Sequence, residues 1–129
     1  SFLLSEEEYK NFIKFNRSLE INYGLRNFIG NANKFAKHEI EVILKSNKDL
    51  SEVLIIDDGP GFPDDLIDKI GQPYIRSSSR KDKAGLGLGT FIGKTLLEKN
   101  YAKIEFKNIN KNKSASVKIS WLNEDLKKI

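Results

Sequence analysis

Three groups of residues in this chain have types and spacings that could do chemistry together. Asn27, Asn31 and Lys34 recur at i, i+4 and i+7, a spacing that lines one stripe of a helix and sends two amide oxygens and an ammonium toward one small volume. A solvated polar face is the plainer alternative. Asp57-Asp58-Gly59-Pro60-Gly61 offers a carboxylate followed by glycines that let a flat ligand approach the backbone. An ionised carboxylate only accepts hydrogen bonds, so a buried Asp57 would favour adenine, whose exocyclic amino group donates, over guanine; an Asp-Gly turn is the alternative here. Gly85-Leu86-Gly87-Leu88-Gly89 directly precedes a helical stretch, where free N–H groups and a helix N-terminus can both face an anion. A hard-metal ligand, a base-reading carboxylate and a phosphate cradle, in that order, describe a nucleotide pocket.

The elements that must position these groups can be read from periodicity. Ile21, Leu25, Phe28, Ile29, Ala32, Phe35 and Ala36 share one helical face, which predicts a helix over 19–37 with Ser18 as N-cap. Ile40, Val42 and Leu44 alternate as a half-buried strand should, residues 45–51 read as a turn, and Val53-Leu54-Ile55-Ile56 reads as a central strand ending at Asp57. A short helix is expected over 63–70, no periodicity over 71–84, and a second helix over 90–100. Ile104 and Phe106, then Ala115, Val117, Ile119 and Trp121, alternate as two strands joined by the Asn/Lys-rich segment 108–114. Ser5 and Glu8 could form a capping box for a short helix near the start.

Composition narrows the function classes. A chain of 129 residues, 39% hydrophobic and 31% charged, fits one globular domain. No apolar run approaches the ~18 residues of a membrane span, so the fragment is expected to be soluble. The absence of Met suggests a piece of a longer protein. Without Cys and with His38 as the single histidine, thiolate and zinc-type clusters are excluded, and any metal should be a hard, oxygen-bound ion. The net charge of +4 comes from lysines dispersed among 18 acids, with most aromatics at core positions, so a nucleic-acid surface is not expected. Gly93-Lys94-Thr95 ends like a P-loop, but Leu88 stands where that motif requires glycine. Gly89 and Gly93 instead suit close helix packing.

Over residues 19–121 the sequence resembles the catalytic ATP-binding domain of sensor histidine kinases, within the superfamily that includes gyrase, heat-shock ATPase chaperones and mismatch-repair ATPases. Leu25 to Phe35 resembles the N box, Asp57 to Gly61 the G1 box, Ile70 to Arg76 the F box, and Gly85 to Ile92 the G2 box. Tyr23 to Asn27, Asp57 to Pro63, Ile70 to Tyr74 and Gly89 to Glu98 are similar to the RegB/PrrB type. The resemblance implies a two-layer α/β sandwich of the Bergerat type, with a mixed sheet and helices packed on one face. It also implies a catalytic domain over 19–129, with 1–18 leading from a dimerisation and phosphoacceptor domain.

The same resemblance implies ATP and Mg²⁺ as ligands. Asn31 would supply an oxygen to the metal with Asn27 in support, Lys34 would neutralise phosphate charge, and Asp57 would read adenine, with Gly59 and Gly61 allowing its approach. Gly85, Leu86, Gly87, Leu88 and Gly89 would hold phosphate, while Tyr74 and Arg76 would belong to a lid, Arg76 as a contact to the terminal phosphate. That lid also carries Arg80, Lys81 and Lys83 against Asp82 and is short and serine-rich for the family; a solvated loop is equally compatible. Hydrolysing relatives carry Glu four residues before the metal asparagine, as general base; Asn27 cannot serve, which favours phosphoryl transfer over an ATPase. His38 lacks an acceptor motif. The implied partners are a histidine-phosphotransfer domain and a response regulator, in a homodimeric inner-membrane parent with this domain in the cytoplasm. A degenerate domain that binds partners but no nucleotide is the non-enzymatic alternative.

Overall fold

The computed structural model describes residues 2–3, 18–71, 88–110 and 113–129. Helix α1 (Leu19–Phe35) starts where Ser18, in extended backbone, accepts a hydrogen bond from the Ile21 N–H at 3.2 Å, satisfying one of the free donors of the first turn. The helix ends at Phe35, two residues before the expected end. Ala36 turns to extended backbone, and the next N–H groups, of Lys37 and His38, go to the Asp58 carboxylate at 2.7 and 3.1 Å. The backbone N–H groups of His38 above all, then of Lys37, Glu39 and Asp58 itself, lower the Asp58 carboxyl from its ordinary value, against a smaller opposing effect of burial.

The sheet has strand order β1-β2-β3-β5-β4, with β1 (Phe2–Leu3), β2 (Ile40–Ser46), β3 (Leu50–Asp57), β4 (Lys103–Asn110) and β5 (Lys113–Leu122). It is mixed: β1 runs parallel to β2, and every other neighbouring pair is antiparallel. The expected turn over 45–51 contracts to Asn47–Asp49. The Asn47 Oδ1 accepts from Asp49 and Leu50 N–H at 2.8 Å each, and Ser46 pairs with Ser51 in the ladder. Likewise the expected connection over 108–114 shrinks, because strand pairing continues to Asn110 opposite Lys113.

Cross-strand partners share a face, so Val42, Ile55, Val117 and Phe106 form one row across four strands. The helices cover that face. Ile21, Phe28 and Ala32 of α1 and Leu97 of α2 (Leu88–Lys99) pack with Ile55, Val117, Ile119 and Trp121 into one core. Full burial of side chains such as Leu97 and Ile119, both 0% exposed, contributes about 1.5–3 kcal/mol each. The central apolar run is thus split by the pleat, Val53 and Ile55 facing the helices and Leu54 pairing with Ile43 on the other side.

The two helices approach closely because Gly24 has no side chain: a Cβ there would meet the Leu97 side chain at 2.5 Å and the Gly93 carbonyl at 3.0 Å. At their far ends Glu20 accepts from Lys99 and Asn100, at 3.0 and 3.2 Å. Residues 63–70 form turns with a single 3-10 stretch, Ile67–Lys69, rather than a helix; the Leu66 and Ile67 N–H groups share the Pro63 carbonyl. A short α3 (Asn123–Leu126) was not expected from the sequence. Asn123 ties it to the β2–β3 turn through Ser51 and the carbonyls of Asn47 and Lys48.

Candidate functional site

Strand β3 is central and delivers Asp57 at its end, 6% exposed. Its Oδ1 accepts from the Gly59 N–H at 2.8 Å, so the side chain closes the turn that follows the strand. Burial pushes the Asp57 carboxyl above its ordinary value; the N–H groups of Gly59 and Ala115 offset part of this, and the neighbouring Asp58 adds to it. A Cβ on Gly59 would collide with the Phe35 carbonyl and lie 2.8 Å from the Asp57 Oδ1. Gly61 has φ +83°, a conformation glycine adopts without strain.

Two contacts from the β4–β5 hairpin fix this turn. The Asn108 carboxamide pairs with Phe62 as a strand neighbour would, accepting from its N–H at 2.7 Å and donating to its carbonyl at 2.9 Å. The Ser114 N–H donates to the Gly59 carbonyl at 2.9 Å, from a backbone with φ +61°. The Phe62 ring meets Phe106 edge-on at 5.7 Å, and Phe106 meets Phe28 at the same separation, so the turn is linked through aromatic contacts to α1.

The second wall is the crossing of α1 with the start of α2. Asn31 donates from Nδ2 to the Thr90 hydroxyl at 3.1 Å. Asn27 is packed against α2, where a Cβ on Gly89 would lie 3.0 Å from its Nδ2 and one on Gly93 would lie 3.4 Å from its Cβ. Its Oδ1 is buried with no hydrogen-bond partner among the described residues. A lone acceptor of this kind is costly unless something binds there. Lys34 is exposed, its ammonium 5.3 Å over the Phe35 ring.

The structure therefore brings Asn27 and Asn31 together against Gly89 and Thr90, and sets Asp57 and Gly59 at the adjoining end of the sheet, where Gly59 packs on the Phe35 carbonyl. Leu88 and Gly89 open α2, earlier than the sequence predicts. Tyr74, Arg76, Gly85, Leu86 and Gly87 lie outside the described residues. The sequence reading missed Thr90 and Asn108. Asn108 continues the inward alternation of Ile104 and Phe106, and that signal was masked by the loop-like composition around it.

Residues 17–125 match the histidine kinase-, DNA gyrase B-, and HSP90-like ATPase family. The chain belongs to this family. Sensor histidine kinase RegB of Cereibacter sphaeroides is 39% identical over 99 residues, covering 71% of this chain and 21% of RegB. Sensor protein kinase PilS of Pseudomonas aeruginosa is 37% identical over 60 residues, 46% of this chain and 11% of PilS. The chain thus spans about a fifth or less of these relatives. Among solved structures, the mycobacterial sensor histidine kinase MprB superposes with a TM-score of 0.67 at 21% identity, covering 83% of this chain and 74% of that one. A nucleotide-free catalytic domain of histidine kinase ThkA gives 0.67 at 21% identity, covering 86% and 70%. The fold is that of histidine kinase catalytic domains, the α/β Bergerat sandwich with helices on one face. No helix among the described residues is long and apolar enough to cross a membrane.

Proposed function

We propose that this chain is the ATP-binding catalytic domain of a sensor histidine kinase, which binds Mg-ATP and presents the γ-phosphate to a histidine on a separate dimerisation domain. The observation that carries the reading is the pairing of two walls: a buried Asp57 at the sheet end, and the Asn27–Asn31 amides against the glycine-lined start of α2. Asp57 accepts the adenine amino group; Gly59, whose missing side chain makes way for the Phe35 carbonyl, and Gly61, at φ +83°, shape the turn that lies beside the base. Gly85, Leu86, Gly87, Leu88 and Gly89 hold the phosphates, Lys34 offsets their charge, and Tyr74 and Arg76 act from the lid.

The residues fit a magnesium ion. Among the described residues no group of three or more His, Cys, Asp or Glu could hold a metal, which suits an ion that keeps its waters and takes one or two protein oxygens beside substrate phosphates. Asn31 supplies such an oxygen, and the Asn27 Oδ1, which has no hydrogen-bond partner among the described residues, is a second acceptor on the same helix. When bound, the ion neutralises phosphate charge. The chain's own part is to position the nucleotide and exclude a general base from the Asn27 position, since an amide cannot activate water; catalysis is then mostly placement and charge stabilisation.

Residues 1–18 lead from the dimerisation and histidine-phosphotransfer domain, and 19–129 form the catalytic unit. A response regulator receives the phosphoryl group, and the parent is an inner-membrane homodimer with this domain in the cytoplasm. Mixing the chain with ATP labelled in the γ-phosphate and the parent's dimerisation domain tests this. Acid-labile label on that domain supports the proposal; release of inorganic phosphate without labelling identifies an ATPase.

A further inference from the structure

We infer that Thr90 is a positioning residue for magnesium-nucleotide binding, acting by fixing which end of the Asn31 carboxamide faces the phosphates. The inference rests on the proposed magnesium role of Asn31. Thr90 is 1% exposed at the start of α2, and its hydroxyl accepts the Asn31 Nδ2 donor at 3.1 Å across the helix crossing. A primary amide has one acceptor end and one donor end on opposite sides of Cγ. Holding Nδ2 on Thr90 therefore turns Oδ1 away from the hydroxyl, where it is bound by no described residue. Without that anchor the amide is free to rotate and present its donor end, which repels a cation.

The surroundings make Thr90 the anchor rather than one contact among several. The Asn31 carboxamide makes no other hydrogen bond among the described residues, whereas the neighbouring Asn27 is packed against Gly89 and Gly93. The hydroxyl also sits one residue after Gly89, so the element that opens toward the phosphates orients the metal ligand. Sequence alone shows a threonine after a glycine series; only the crossing of α1 and α2 gives it a partner 59 residues away.

The test compares Thr90→Val, which keeps the shape and removes the hydroxyl, with Thr90→Ser, which keeps the hydroxyl. Each is titrated by calorimetry with ATP, with and without Mg²⁺, and with adenosine, alongside thermal melting. In T90V the affinity gained on adding Mg²⁺ should fall by about five- to tenfold, the loss expected of one hydrogen bond. Adenosine affinity should not change, and T90S should restore the parent's magnesium response. Thr90→Ala should behave like T90V and serves if T90V does not fold. An unchanged or larger magnesium gain in a folded hydroxyl-less variant overturns the inference, as does a matched loss of adenosine binding, which signals a merely structural residue. If the parent itself gains nothing from Mg²⁺, the reading on which the inference rests fails first, and both are abandoned.

Discussion

Asp57→Asn separates what the carboxylate does for the ligand from what it does to the fold. The substitution keeps size and the acceptor for the Gly59 N–H but removes the charge. In the free protein, burial raises the Asp57 carboxyl above its ordinary value. A raised folded value means the folded chain holds the proton more tightly than the unfolded one. Stability from this group is thus highest below the ordinary carboxylate value and falls as pH climbs through the raised value; at neutrality the ionised group is a net cost. The melting-temperature difference between D57N and parent should therefore move in the variant's favour across that window. With ligand the sign reverses. A hydrogen bond to a charged acceptor is worth about 1.5–3 kcal/mol, so D57N should bind ATP and adenosine roughly 10- to 150-fold more weakly and lose preference over GTP. Calorimetry and melts at acid and neutral pH read both effects. Unchanged ATP affinity and selectivity would refute base reading, and a difference moving against the variant as pH rises would refute the desolvation argument.

Three further outcomes are expected. Asn31→Ala should lose about tenfold of the affinity that Mg²⁺ adds to ATP binding while adenosine binding persists, measured by the same titrations. Asn108→Ala removes both hydrogen bonds to Phe62 and should cost about 1–3 kcal/mol in denaturant unfolding; it should also weaken adenosine and ATP binding in equal proportion, because it loosens the base-side turn and not the metal side. Gly30 is exposed in α1, and a Cβ there would meet nothing within 4 Å, so Gly30→Ala should stabilise the chain by about 0.5–1 kcal/mol without altering nucleotide affinity.

Much of this fold was legible because its signals are local. The apolar stripe from Ile21 to Ala32 and the Ser18 cap specify α1, and the alternation through Val117 and Trp121 specifies β5. What the sequence misplaced were boundaries decided by distant partners. α1 stops early because Asp58, 21 positions on, takes the Lys37 N–H, and β4 runs through a polar stretch because Asn108 lies opposite Ala115. The mixed sheet follows from the family resemblance, but the parallel seating of Phe2 and Leu3 beside Val42 and Ile43 depends on a crossover no local pattern encodes. At the site, Asn27, Asn31 and Asp57 stood out by spacing and chemistry. Thr90 and Asn108 did not, since the contacts that place them at the site, to Asn31 and to Phe62, are long-range.

The most direct test of the central claim is calorimetric titration of this chain with ATP and with GTP, each with and without Mg²⁺, in a sample shown to be folded by its melting transition. Saturable binding of ATP in preference to GTP, tightened by Mg²⁺, is the predicted result. Absence of ATP binding to the folded chain would contradict it and favour a degenerate domain of the same fold.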